Sequence, residues 1–170
     1  MRWEIVDTFE VLKVHHVSHA RKFFSGNEDF FTEHFPGRPV VPEPLFIEMI
    51  AQAGGALFGL GLDFKKEVIL AKIARANFKK QVSPPCEFVV KTQIREEREE
   101  GALIHGRVTQ GGTEVASAEI ILMTVESGHL ASSKSIVFND QFMKHYDIRH
   151  VASLSLSPGG GVADKAEAAP

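Results

Sequence analysis

His34-Phe35-Pro36-Gly37-Arg38-Pro39-Val40-Val41-Pro42-Glu43-Pro44 runs directly into Leu45-Phe46-Ile47-Glu48-Met49-Ile50-Ala51-Gln52 and on through an apolar stretch, AGGALFGL, that ends at Leu60. The first half reads as a Pro/Gly turn. The second half is apolar nearly all round, which fits a helix wrapped by other structure rather than one lying on a surface. Proline suits the first helical turn, where its missing N–H costs nothing. The helix is therefore expected over 44–60, with Glu43 as its N-cap and the Gly59–Gly61 region as its end.

Strand-like segments flank this helix on both sides. Residues 2–24 alternate apolar and polar positions and read as two strands, with His15, His16 and His19 in or near the second. Residues 27–33 read as a short helical turn presenting Phe30 and Phe31, which are either the lining of an apolar channel or plain core. Three or four more strands are expected over 67–81, 86–97, 102–110 and 113–126, with Gly111-Gly112 turning the last pair as a hairpin. One long helix with consecutive antiparallel strands makes an α+β layer. A sheet with a free edge and one buried helix invites pairing of two copies.

The chemistry lies in His34 and Glu48, fourteen positions apart. Histidine exchanges a proton near neutral pH. A glutamate in the apolar run is poorly solvated, and desolvation favours the protonated, proton-donating form of a carboxyl group. Such a pair suits the elimination or addition of water across a C–C bond next to a carbonyl. His34 would take the α proton and Glu48 would protonate the departing hydroxyl. The charge developing on the carbonyl oxygen needs a donor, which N–H groups at a helix N-terminus can supply. Gln52 lies one helical turn beyond Glu48 on the same face and can fix the carboxyl by hydrogen bonding.

These residues resemble the hotdog-fold (3R)-hydroxyacyl-[acyl-carrier-protein] dehydratases of bacterial fatty acid synthesis, and of their two branches the non-isomerising one. The family pattern H-F-P-G-x-P-V-x-P-G is matched by His34 to Pro42, and its E-A-M-A-Q helix segment by Glu48 to Gln52. GNEDFF, from Gly26 to Phe31, is similar to N-E-x-F-F, and AKIARANFKKQVSPP, from Ala71 to Pro85, to a strand of type G-I-x-x-A-R-F-x-x-P-V-x-P-G-D. The similarity spans about residues 2 to 126. It implies a hotdog fold, an antiparallel sheet around one long central helix, in a homodimer or a higher oligomer built from dimers. It also implies catalysis by His34 and Glu48 from different subunits, with support from Gln52, the Val40 carbonyl, Gly37 and the Glu43 amide. The acyl channel would include Phe30 and Phe31. No metal or organic cofactor is implied; the substrate rides on the phosphopantetheine arm of an acyl carrier protein.

Two departures stand out. Glu43 occupies the position where the family has glycine after the second proline, placing a negative charge near the thioester path, where it would oppose a developing oxyanion. The family's P-H-R-x-P-F-L-L opening segment also has no counterpart before the first strand. Two other functions compete with dehydration: a hotdog acyl-thioester hydrolase, and a non-catalytic acyl-binding subunit. Double-bond isomerisation is a further possibility, although the isomerising branch usually carries Asp at the Glu48 position.

Composition sets the outer bounds. At 170 residues and 44% apolar content, one globular domain is expected over 1–128, followed by an extension at 129–152 and a disordered tail at 153–170. One short helix, Asp140 to Ala152, is expected in the extension, as a candidate cover for a neighbouring subunit. A net charge of −3 argues against general nucleic-acid binding. Six basic residues between Asp63 and Lys80, among them Arg75, Lys79 and Lys80, form either a docking rim for an acidic carrier protein or an ordinary solvated strand face. The single Cys86 excludes an intramolecular disulfide and reads as a packing or surface thiol. The opening residues show no signal-like pattern, and the apolar helix is interrupted by Glu48, Gln52 and glycines. A cytoplasmic protein without a membrane partner is expected.

Overall fold

The computed structural model describes residues 5–125 and 137–156. Strands β1 (Thr8–Lys13), β2 (Val17–Phe24), β3 (Glu67–Phe78), β4 (Cys86–Arg98), β5 (Gly101–Gln110) and β6 (Thr113–Val125) form one antiparallel sheet in the order β1-β2-β4-β5-β6-β3. Helix α1 (Glu43–Gly61) packs against all six strands. This is the α+β layer expected from the sequence. The sheet curls around α1 because the helix buries Phe46, Met49, Ile50, Ala53, Leu57 and Phe58 completely. Each would lose contact with its neighbours if the sheet were flat.

Close approach fixes the seating of that helix. Gly106 of β5 faces Ile50, and a Cβ added to Gly106 would collide with the isoleucine side chain. Ser18 of β2 donates its hydroxyl to the Ala53 carbonyl at 3.0 Å and shares a 2.6 Å hydrogen bond with Thr92 of β4. This buried polar pair fixes how far α1 is slid along the sheet. Buried hydroxyls are costly unless paired; among the described residues, no buried side-chain nitrogen or oxygen lacks a hydrogen-bond partner.

The ends of several elements differ from the sequence reading. Pro42, not Glu43, is the N-cap of α1; Glu43 is its first residue and Pro44 its second, so the tolerated proline sits inside the helix start. The segment read as one helix from Asp140 to Ala152 is two, α2 (Asp140–Tyr146) and α3 (Ile148–Ser155). Asp147 lies between them in the left-handed region, at φ 46° and ψ 44°, which breaks the helix. Ser153–Ser155 belong to α3 and Leu156 is its C-cap, rather than part of a disordered tail; the rest of that assignment, 157–170, lies outside the described residues. His15 and His16 fall in the turn between β1 and β2, and His19 is in β2.

The extension covers its own chain. Phe138, Tyr146, Ile148 and Ala152 join the same core as the α1 side chains. Helix α3 lies on β1, and the Leu12 N–H of that edge strand donates to the Ser155 hydroxyl at 3.0 Å. The Tyr146 hydroxyl donates to the Val6 carbonyl at 2.7 Å, buried, while its ring meets Phe9 edge-on at 5.0 Å. Replacing Tyr146 with Phe leaves that carbonyl short of a donor. Urea denaturation should show Tyr146→Phe to be less stable by about 1–3 kcal/mol. An unchanged midpoint would mean that the extension does not brace the N-terminal segment.

Candidate active site

His34 sits in a turn held at several points. Its N–H donates to the Phe30 carbonyl at 3.0 Å, at the end of the 3-10 turn Asp29–Thr32. Its own carbonyl accepts the Val40 N–H at 3.0 Å, and Phe35 and Arg38 exchange N–H donors at 3.2 and 2.9 Å. Gly37 takes φ 74° at the tip, a conformation that L side chains rarely adopt. Val41 donates to the Val82 carbonyl at 2.8 Å, tying the turn to the body of the fold. Glu28 clamps the approach to it by accepting from the Ser25 and Gly26 N–H groups, both at 2.9 Å. Burial pushes the Glu28 carboxyl up, but these backbone donors outweigh that and hold it below the usual carboxylate range.

The imidazole is oriented by Val40. His34 Nδ1 lies 3.2 Å from the Val40 carbonyl oxygen. A carbonyl can only accept, so Nδ1 carries a hydrogen, and in the neutral ring the lone pair is therefore on Nε2. The ring also stacks on Phe35, with centroids 4.3 Å apart.

Glu48 lies half-buried on α1 rather than fully inside. Its Oε1 accepts from Gln52 Nε2 at 2.8 Å, one turn along the helix. The glutamine is oriented in turn by backbone, because its Oε1 accepts the N–H groups of Ile5 at 2.9 Å and Val6 at 3.3 Å. Those two donors decide which end of the amide faces which way. The amide NH2 is thereby turned to Glu48. Sequence reading found the Glu48–Gln52 pair from its spacing but missed Ile5 and Val6, because backbone donors far away in the chain leave no mark on residue type.

Beside Glu48 lies a cavity of about 260 Å³. Helix α1 contributes Glu48, Gln52 and Gly55; β3 and β6 contribute Val68, Leu70 and Leu122; Phe138 and Phe142 line another side. Its walls are apolar away from the two polar side chains. A wider open depression of about 470 Å³, bounded by Asp140, Gln141, Lys144 and His145, holds none of the candidate residues.

Other expected site residues fall elsewhere. His34 does not line the Glu48 cavity of its own chain. Phe30 and Phe31 do not line it either; both pack edge-on against Phe24, at 5.9 and 5.8 Å, with Phe31 buried in the core and Phe30 half-buried against it. Glu43 is exposed at the start of α1. Arg75, Lys79 and Lys80 are exposed, but Lys79 pairs with Glu114 at 2.9 Å and holds that carboxyl below its usual range. Cys86 is buried, and its thiol is pushed up to about 11, first by burial and then by the charge of Glu28. Among the described residues, no group of three or more His, Cys, Asp or Glu side chains could hold a metal ion.

A FabA-like domain model matches residues 10–119. The chain belongs to the FabA-like family. Among its relatives is the 3-hydroxyacyl-[acyl-carrier-protein] dehydratase FabZ of Xanthomonas euvesicatoria pv. vesicatoria (strain 85-10), 38% identical over 105 residues that cover 60% of this chain and 69% of that protein. FabZ of Xanthomonas oryzae pv. oryzae (strain PXO99A) is 40% identical over the same length and shares. The dehydratase heterocomplex ApeI:P from Xenorhabdus doucetiae includes a chain of similar fold, with a TM-score of 0.53 and 18% identity, covering 65% of this chain and 89% of that one. The FabA-like sheet and helix are therefore those of the hotdog fold.

Two outcomes are expected from this geometry. Gln52→Leu frees the Glu48 carboxyl, and a small displacement of a reacting group can cost up to about a hundredfold. Enoyl-thioester hydration by that variant should fall in kcat with little change in KM; an unaltered kcat would remove Gln52 from the site. Cys86 should resist a thiol reagent at pH 8, where little of it is thiolate. Labelling as fast as a free cysteine would contradict the packing around it.

Proposed function

We infer that the chain is a hydro-lyase that removes water from (3R)-3-hydroxyacyl thioesters on acyl carrier protein, giving trans-2-enoyl thioesters for fatty acid biosynthesis. The observation that carries the chemistry is the pairing of orientations. The His34 Nδ1–H is committed to Val40, and Glu48 is held by a glutamine that backbone donors have already turned. His34 Nε2 takes the C2 proton, the electron pair forms the C2–C3 double bond, and Glu48 gives its proton to the hydroxyl leaving C3 as water. The reverse sequence hydrates the double bond. Amide groups at the start of α1, including that of Glu43, are suited to polarise the thioester carbonyl.

The two groups would meet across a dimer. The β1 edge of the sheet is already covered by α3 and Ser155. Among the described residues nothing covers the β3 edge in this way: Ile69, Leu70 and Ile73 are exposed there, as is the neighbouring Met123 of β6. An open apolar edge strand favours pairing with a second copy. His34 of the partner subunit would then complete the cavity that holds Glu48. Arg75, Lys79 and Lys80 would form part of the rim that draws in the carrier protein, with Lys79 weakened by its bond to Glu114. A cytoplasmic setting is part of the same reading. Helix α1 has the length and composition to cross a membrane, yet most of it is consumed by the core.

Incubation with a trans-2-enoyl thioester tests the reading. Loss of the conjugated absorbance without thiol release is expected. Free thiol would instead indicate the hydrolase, and no reaction an acyl-binding subunit. His34→Ala and Glu48→Gln should each lower the rate by about a hundredfold or more, and wild-type rates in both would overturn the assignment of roles. Glu43→Gly removes a negative charge near the developing oxyanion, so a faster rate is expected; unchanged kinetics would show that the exposed carboxylate is too far away to matter.

A further inference from the structure

We propose that α2 sets the acyl-chain length this site accepts, and that Phe142 is the residue that decides it. The proposal rests on the dehydratase reading above. Glu48 must reach the hydroxyl on C3, so the carbons beyond C3 leave the reacting centre from there. The cavity beside Glu48 is lined by Gly55, Val68, Leu70 and Leu122, which suits a hydrocarbon tail and not a polar pantetheine arm.

Two aromatic rings from the extension, Phe138 and Phe142, form one of its walls. Glu48, Gln52, Gly55 and Gly59 share one face of α1. The Phe138 ring lies on Gly59, where an added Cβ would come within 2.8 Å of it. Gly55, the last α1 residue to line the cavity, is roughly 10 Å along the helix axis from Glu48, at 1.5 Å per residue, and Gly59 is one turn further. Phe142 stands against Phe138 at 5.5 Å and Tyr146 at 4.8 Å, and lines the same cavity. Phe138 is buried core, whereas Phe142 is only half-buried and borders the free space.

The wall is held in place, as a specificity element must be. Asn139 caps α2 by accepting the Phe142 N–H at 2.9 Å. The buried Glu67 carboxylate accepts the Val137 N–H at 3.1 Å. Tyr146 is fixed to Val6, which also donates to Gln52. All three aromatic residues lie beyond 10–119, the part that matches the FabA-like model. The tail-end wall is thus built by this chain's own extension.

The test compares wild type with Phe142→Ala and Phe142→Trp on trans-2-enoyl thioesters of increasing chain length. It adds the affinities of saturated acyl thioesters, which do not react. Each added methylene in an apolar pocket changes discrimination by about tenfold or more. Phe142→Ala should move the kcat/KM optimum to longer chains, with the long-to-short ratio rising at least about tenfold. Phe142→Trp should move it to shorter ones, and the affinities should follow. Should the alanine variant not fold, Phe142→Leu makes the same comparison with a smaller shift. A uniform loss at every length, or an unchanged profile in folded variants, overturns the proposal. If wild type hydrates no enoyl thioester, the dehydratase reading fails; shifting affinities would still support the wall, and constant affinities would sink it.

Discussion

A carboxyl group that takes part in proton transfer must point one way, and on a half-buried helix face nothing apolar can enforce that. Here the constraint is met by a short line of hydrogen bonds. The Ile5 and Val6 N–H groups fix the oxygen end of Gln52, which leaves the NH2 end to hold Glu48. The line continues outward, because the Val6 carbonyl accepts the buried Tyr146 hydroxyl. The N-terminal segment and the C-terminal extension therefore both bear on one carboxyl group. Ser18 and Thr92 serve the same end by fixing the axial position of α1 at Ala53, beside Gln52.

The proposed base, His34, is held by a different device. A tight turn closed by backbone hydrogen bonds carries His34, and the Val40 carbonyl selects its tautomer. In the proposed mechanism neither group suffices alone, and the single chain does not bring His34 into the Glu48 cavity. The same extension that braces Gln52 also covers the β1 edge, and among the described residues β3 is the edge left for a second copy in the proposed dimer. Site assembly and sheet pairing are thereby linked in the proposed dimer.

Much of this was legible in the sequence because the relevant signals are local. The prolines and the apolar run place α1, helical spacing joins Glu48 to Gln52, and alternation with Gly111-Gly112 gives the strands. What the sequence could not show depends on tertiary contact. The donors to Gln52 come from backbone, which every residue carries. Phe30 and Phe31 read equally well as channel or core, and their edge-on packing on Phe24 leaves no mark on the sequence. The left-handed Asp147 divides a pattern that looks like one helix, and the place of Phe142 at the cavity beside Glu48 is a tertiary contact that no local signal marks. The capping role expected of Glu43 failed by one position, since the two prolines fit the helix start with Pro42 outside and Pro44 inside.

Subunit complementation tests the central claim, that His34 and Glu48 are two halves of one site. His34→Ala and Glu48→Gln proteins, each inactive alone, are mixed under conditions that exchange subunits, and enoyl-thioester hydration is then measured. If the halves come from different protomers of a dimer, half of the randomly paired dimers contain one intact site. Activity should then return to about a quarter of the wild-type value. No recovery in a mixture shown to contain heterodimers would contradict the account.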